Sequence, residues 1–423
     1  METGLERIRQ LVAENPKRKL QTLMHNVNKT TLQQMHMKQK TGKAAGVDRE
    51  TKEKYERNLE ENIDNLLRRM KDFSYRPQPV RRTYIPKGEG KMRPLGIPAY
   101  EDRLVQGVMA EVLTEIYEPR FCYFSYGYRP HRSCHDAVKA LVNKLETNIN
   151  WVADIDIKGF FDNVDHEWMM RFLEHDIEDK KFLRYVRRFL RTGVLEEGQF
   201  SETDKGTPQG GLISPVLANV YLHYVVDIWF NLQVKKNCRG TAEMVRYADD
   251  MVLLFQKEED AIEKYEQLRE RLREFGLELS EEKSKVVRFG KSGGDDNQTF
   301  DFLGFTYYWG TSRKGKPIVK LQTSKKKLKA KRQAAKLWLK ANMHLDTAEL
   351  IAKLNTKLRG HYQYYGITHN YDKLCSFYWY ITEQFVKVRR RRSQKDKTTW
   401  DDFKRIMRFN PILTPRIYVN LYA

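Results

Sequence analysis

Between Met244 and Phe255 the chain reads MVRYADDMVLLF, two short apolar strands broken by two adjacent carboxylates, Asp249 and Asp250. Side chains alternate between the faces of a strand, so the apolar ones here belong to a core. Two like charges in the tight turn between such strands repel, and desolvation strengthens the repulsion. Something compensates: solvent, a basic neighbour such as Arg246, or metal ions.

A second acidic strand bears on the choice. In WVADIDIKGFF, Asp154 and Asp156 stand two residues apart and so face the same side. An edge strand with one wet face would account for them, and divalent metal binding would give them a function. Mg²⁺ favours one or two protein carboxylates plus phosphate oxygens and water. Two such ions a few ångströms apart can activate a 3′-hydroxyl and stabilise a leaving pyrophosphate. That chemistry needs an acid on one strand and another on a neighbouring turn, and DIDIKGFF and YADD supply them. Bound cations would also relieve the repulsion between Asp249 and Asp250.

The bulk composition agrees with a polyanionic partner. The 423 residues carry 77 Lys+Arg against 56 Asp+Glu, a formal net charge of +21, for which nucleic acid is the first candidate. The length allows two to four domains with a sizeable core. The four cysteines, Cys122, Cys134, Cys238 and Cys375, form no CxxC pair, which argues against a zinc site or disulfide framework and for a reducing compartment. The N-terminus has no apolar signal core, and no apolar run reaches the roughly 18 residues of a membrane span. A cytoplasmic location is the expectation.

Along the chain, residues 1–75 read as helical and polar, with Leu59, Ile63, Leu66, Leu67 and Met70 at helical spacing. VRRTYIP and KMRPLGIP read as two strands around a KGEG turn, a hairpin carrying Arg81, Arg82, Lys87, Lys91 and Arg93. After the acidic strand a helix begins near Asp162 and Asp165, both potential caps. GTPQGGLISPVLANVYLHYVVDIWF is a Gly/Pro loop opening into a long apolar helix. The helix AIEKYEQLRERLREFG places Ile262, Tyr265, Leu268, Leu272 and Phe275 on one face. LELSEEKSKVVRFG and FDFLGFTYYWG read as further strands, and beyond about residue 320 come three helices rich in Lys, Arg and aromatics.

The ordered blocks GKAAGVDRE, YRPQPVRRTYIPKGEGKMRPLGIPAYEDRLVQ, FSYGYRPHRSCHDAV, VADIDIKGFFDNVDH, GTPQGGLISPVLANVYL, RYADDMVLLF, FGLELSEEKSKVV and FDFLGFTYY cover about residues 40–310. In content and order they resemble the reverse transcriptases encoded by bacterial group II introns. KLNTKLRGHYQYYG is similar to the thumb, or maturase, region of that family. The resemblance implies an α+β right-hand polymerase with an antiparallel palm sheet backed by helices and a helical thumb. The expected divisions are an N-terminal extension and the start of the fingers over 1–75, fingers over 76–150, palm with interleaved fingers elements over 151–315, a helical thumb over 316–390 and, over 391–423, a short basic segment that would be a reduced DNA-binding region.

It also implies roles. Asp156, Asp249 and Asp250 would hold two Mg²⁺ ions, with Mn²⁺ a possible substitute, together with the backbone carbonyl of Ile157. Asp154 would be an orienting or structural acid. Phe160 or Phe161 would exclude the 2′-OH of a ribonucleotide; Phe160 is the expected gate and Phe161 the ordinary core ring. Arg81 and Lys87 would hold the incoming triphosphate. Pro208, Gln209 and Gly210 would pass close to the nascent base pair, where glycine permits a near approach. Lys283 would protonate the leaving pyrophosphate, although a surface lysine in a charged turn explains it as well.

Nucleic acid would be gripped by Arg82, Lys91, Arg93 and Arg129. Further grip would come from Lys325, Lys326, Lys327, Lys329, Lys331 and Arg332, and from Arg389, Arg390, Arg391 and Arg392. HYQYYG reads as thumb core. The partners would be an RNA template, a DNA or RNA primer, dNTPs, the intron RNA and target DNA, for a monomer or homodimer.

Many group II intron proteins carry an H-N-H endonuclease after the thumb; no Cys/His pattern for one follows RRRRSQKDK here. The chain therefore resembles the endonuclease-lacking class, which needs a primer from elsewhere. Two rivals share the motifs: a related reverse transcriptase recruited to repair, phage defence or a CRISPR locus, and an RNA-binding splicing factor with a dead polymerase. The intact Asp156, Asp249 and Asp250 speak against the second.

Overall fold

The computed structural model describes residues 4–88, 91–196, 199–201, 205–207, 210–291, 296–391 and 399–422, with backbone alone at 87, 88 and 91. Three sheets organise them. The first contains β1 (Val80–Gly88), β2 (Lys91–Ile97), β4 (Val194–Glu196) and β5 (Gln199–Ser201) in the order β2-β1-β4-β5. The second contains β3 (Trp151–Ile155), β6 (Ala242–Tyr247), β7 (Asp250–Phe255) and β8 (Lys285–Arg288) in the order β6-β7-β3-β8. The third is an antiparallel run of β9 (Phe300–Phe302), β10 (Phe305–Thr311) and β11 (Pro317–Thr323). Long helices occupy most of the rest, so the fold is mixed α+β.

The expected hairpin forms: Arg81 pairs with Ile97 and Ile85 with Arg93, antiparallel. Its partner strands β4 and β5 carry no clear alternation and escaped the sequence reading; β1 meets β4 in a parallel pairing, Val80 to Val194. β11 also went unread, because PIVKLQT lies where the composition turns basic.

By contacts the chain divides into two compact units. The first takes Met1–Ala137, Ile155–Leu253 and Glu258–Lys285. Its interior is built around the helix Tyr100–Tyr117, where Leu104, Val105, Met109, Val112, Leu113 and Ile116 are fully enclosed. A side chain of that kind contributes about 1.5–3 kcal/mol on burial.

The helix Glu258–Glu274 differs from expectation. Leu268 and Leu272 are buried, but Ile262 is exposed, and the stripe continues through Lys264 and Ala261 instead. A 3.6-residue period places Ala261 in line with Leu268 and Leu272 and turns Ile262 toward solvent. Of the two expected caps, Asp165 accepts from the Trp168 N–H at the start of His166–Asp176, whereas Asp162 lies within the short helix Phe160–Asn163.

The second unit takes Val138–Asp154, Leu254–Lys257 and Val286–Ala423. It contains the three helices foreseen beyond residue 320: Lys325–Ala341, Thr347–Tyr365 and Tyr371–Arg390. Ser324 and Asp346 cap the first two through side-chain oxygens. The buried Asn370 ties the sheet to the helices: its amide donates to Tyr365 O and Thr323 Oγ1, and its carbonyl accepts from Thr323 N at 2.7 Å. His361, Tyr362 and Tyr365 of HYQYYG are buried, in keeping with a packing role. Among the described residues no helix is long and apolar enough to cross a membrane, and the four cysteines form no disulfide.

Candidate active site

β3 and β7 are neighbours, and Asn150 N donates to Phe255 O at 2.9 Å. A bond between the start of one strand and the end of the other fixes an antiparallel register. That register runs Ile155 alongside Asp250 and brings Asp156 level with the Asp249 turn. The three carboxylates expected to act together therefore meet at one end of the sheet. Asp250 is exposed, and Asp156 and Asp249 are half-buried.

The turn itself is two residues, Ala248 and Asp249, and Ala248 adopts a left-handed φ of 57°. An alanine pays for that conformation, and Arg246 holds it there. The Arg246 guanidinium donates to Ala248 O at 3.1 Å, to Asn219 Oδ1 at 3.0 Å, and through Nε and Nη2 to both oxygens of Asp227. Arg246 and Asp227 are both 0 % exposed. Burial alone would raise the Asp227 carboxyl, but Arg246 and His223 outweigh it and hold its pKa below the ordinary value. Arg246 is thus not a surface neutraliser of Asp249 and Asp250. It is a buried clamp on the backbone that aims them.

Asp227 comes from a π-helical segment, His223–Asp227, continuing the helix Ser214–Leu222. No local signal marked it or Asn219, because their role depends on a partner about 20 or more residues away in sequence.

Asp156 is clamped from the other side. Its N–H donates to Ser284 Oγ at 3.0 Å, its carbonyl accepts from Ser280 N at 2.8 Å, and its Oδ1 lies 2.9 Å from Lys283 Nζ. The SEEKS turn therefore surrounds it, and Lys283 belongs to the site. Ile157 bridges to Leu279 through two hydrogen bonds that use the carbonyls of Asp156 and Glu278. Neither bond uses the Ile157 carbonyl, as a metal-ligand role requires.

The donor set suits a hard divalent cation, since it is all oxygen. Among the described residues no group of three His, Cys, Asp or Glu side chains converges tightly enough to hold an ion unaided. An ion here would complete its shell with substrate oxygens and water.

The two phenylalanines reverse their expected exposure. Phe160 is 2 % exposed and packs edge-on to Tyr221, so it is the core ring. Phe161 is half-buried, and its carbonyl accepts from Thr207 N at 2.7 Å, which ties it to the Gly/Pro loop. In that loop Gly210 has φ 119°, and a Cβ there would stand 2.3 Å from Gly96 O, so glycine is required. Pro208 and Gln209 lie outside the described residues, as do the side chains of Lys87 and Lys91 and the whole of Arg392.

Arg81 is exposed, with Nε and Nη2 on Ala45 O at 3.0 and 2.7 Å, and Arg93 is exposed on β2. Arg82 lies 3.8 Å from Glu196. Arg129 leaves the nucleic-acid set: it is 6 % exposed, pairs with Glu118 and donates to the carbonyls of Cys122 and Ser125. On the helix Lys325–Ala341, Lys325, Lys326, Lys327, Lys329 and Lys331 are exposed, while Arg332 is engaged with Ser376 and the Tyr380 ring. Arg389 donates to Thr347 Oγ1, and Arg390 and Arg391 are exposed.

A mixed α+β fold with paired carboxylate strands at a hairpin turn is the arrangement of a palm polymerase. Residues 85–307 match the family described as reverse transcriptase (RNA-dependent DNA polymerase), and the chain belongs to that family. It is 44 % identical over 177 residues to the group II intron-encoded protein LtrA of Lactococcus lactis subsp. cremoris, a match covering 42 % of this chain and 29 % of that protein. It is 33 % identical over 304 residues to Protein YkfC of Escherichia coli strain K12, covering 64 % of this chain and 77 % of the relative. An uncharacterized 91 kDa protein in the cob intron of Schizosaccharomyces pombe is 26 % identical over 392 residues, covering 77 % of this chain and 48 % of that one. The chain thus spans less than a third of LtrA.

Proposed function

We propose that the chain is an RNA-directed DNA polymerase that extends the 3′-hydroxyl of a DNA or RNA primer with dNTPs on an RNA template, using two Mg²⁺ ions. The observation that carries this is the meeting of Asp156 with Asp249 and Asp250 at one end of β3 and β7, with Asp156 held by Ser284 and the turn before Asp249 held by Arg246. When bound, the ions would supply activation of the 3′-hydroxyl and neutralise charge on the triphosphate.

The protein's share is positioning. Asp156, Asp249, Asp250 and the Ile157 carbonyl offer hard oxygens. Lys283, beside Asp156, is the candidate donor of a proton to pyrophosphate. Arg81 and Lys87 are the triphosphate contacts, and Arg81 would exchange its hold on Ala45 O for phosphate oxygens. Phe161 takes the gate role, with Gln209 beside the base pair. The exposed lysines of Lys325–Ala341 and Arg390 and Arg391 would follow the nucleic-acid backbone, in fingers, palm and thumb divided near residues 76, 151 and 316.

The names of the intron-encoded relatives support a second role, binding of the chain's own group II intron RNA to assist splicing and insertion into target DNA. The test is primer extension by the full chain on RNA and DNA templates with dNTPs and Mg²⁺, alongside splicing of the intron RNA flanking its gene. Extension on RNA that a chelator abolishes is expected; no extension on any template would refute the polymerase reading.

A further inference from the structure

The loop FSYGYRPH, residues 124–131, lies against the catalytic turn along its backbone. Tyr126 N donates to Arg246 O at 2.8 Å, Arg246 N donates to Phe124 O at 2.9 Å, and Asn219 Nδ2 donates to Gly127 O at 2.7 Å. Gly127 comes closest: a Cβ there would stand 2.4 Å from Ala248 N, so no other residue fits without moving the turn. The next residue, Tyr128, is carried to the rim of the turn by main-chain contacts.

Tyr128 has φ 56°, a left-handed conformation that a bulky residue adopts at a cost. Packing does not recover that cost, because the side chain is 55 % exposed. The Gly127–Ala248 approach leaves Tyr128 one residue from the contact with the turn that carries Asp249. The phenol therefore stands exposed at the rim of the acidic turn, where a phosphate bound over Asp249 would lie. None of the roles above uses it, and a phenol O–H is a hydrogen-bond donor at working pH.

We propose that Tyr128 contacts the substrate directly, its hydroxyl donating a hydrogen bond to a phosphate oxygen held over Asp249. That oxygen belongs either to the incoming triphosphate or to the phosphodiester at the primer terminus. The inference rests on the polymerase reading and sharpens it. A hydrogen bond to an anionic oxygen predicts a loss of roughly ten- to a hundred-fold in kcat/KM when the hydroxyl is removed.

The experiment is steady-state primer extension by the full chain carrying Tyr128→Phe, with dNTP and primer–template titrated separately and a melting curve as control. The ring and the backbone conformation stay, so Tm is expected to match the wild type. A raised dNTP KM with unchanged primer affinity identifies the triphosphate as acceptor. A lowered kcat at unchanged dNTP KM identifies the primer terminus. Wild-type kcat and KM in Tyr128→Phe would overturn the inference, and a defect in Tyr128→Ala alone would assign the residue to packing. Should the wild-type chain extend no primer, the polymerase reading falls first and the inference with it; should the wild type extend and Tyr128→Phe equal it, the inference alone falls.

Discussion

Removing the Asp227 carboxylate isolates the part of the site that lies behind the carboxylates. Asp227→Ala leaves the Arg246 guanidinium, 0 % exposed, without its bidentate partner. Stranding one half of a buried ion pair costs about 3–5 kcal/mol. At roughly 2–4 °C per kcal/mol for a unit of a couple of hundred residues, the unfolding transition containing this sheet should fall by on the order of 10 °C. The pair Asp227→Leu with Arg246→Met removes both charges and should recover most of that loss, since buried ion pairs are often replaceable by apolar residues of similar size.

Activity should not recover in the double variant. The bond from Arg246 to Ala248 O is gone in it, and the left-handed turn carrying Asp249 loses its clamp. A displacement of about 1 Å at a reacting centre can cost on the order of a hundred-fold. The assays are calorimetric melting and single-nucleotide primer extension well below the transition. A double variant that is both stable and fully active would refute the clamp. A single variant whose Tm moves by less than about 2 °C would refute the buried-charge reasoning.

Two more outcomes follow from particular side chains. Phe161→Ala should raise ribonucleotide incorporation during extension, whereas Phe160→Ala should instead cost about 3–5 kcal/mol of stability as a core truncation; relaxed sugar selection in Phe160→Ala alone would return the gate to that ring. His361, tilted against Phe377 at 4.2 Å between ring centres and with both ring nitrogens buried and unpartnered, has its pKa lowered to about 4 by burial and, secondarily, by Lys331. Between its unfolded value of about 6.5 and the folded one, the unfolded chain binds the extra proton. Stability present above that range is therefore lost as pH falls, by about 2 kcal/mol at pH 5. His361→Phe should shrink the Tm difference between pH 8 and pH 5, and an unchanged difference would exclude this histidine as its source.

The paired acids were legible because a carboxylate in an apolar strand is a local contradiction visible in a dozen residues. The hairpin of β1 and β2 and the three basic helices were legible from alternation and from composition. What escaped depended on tertiary placement. Asp227 and Asn219 look like ordinary polar residues in an apolar helix until Arg246 is placed against them. Arg129 reads as a phosphate ligand until Glu118 is found beside it. Phe160 and Phe161 are adjacent aromatics, and only the orientation of the short helix Phe160–Asn163 decides which one meets Tyr221. Lys283 was ambiguous in a charged turn and gained meaning from its 2.9 Å contact with Asp156.

The most direct test of the metal-site assignment is Asp249→Asn, which keeps the size of the side chain and removes its charge. Primer extension on an RNA template and binding of the same primer–template would be measured together, in Mg²⁺. Extension should fall by several orders of magnitude while binding stays within a few-fold, because the basic surfaces proposed to hold the backbone lie elsewhere in the chain. Extension at a wild-type rate would contradict the placement of the metal site at Asp156, Asp249 and Asp250.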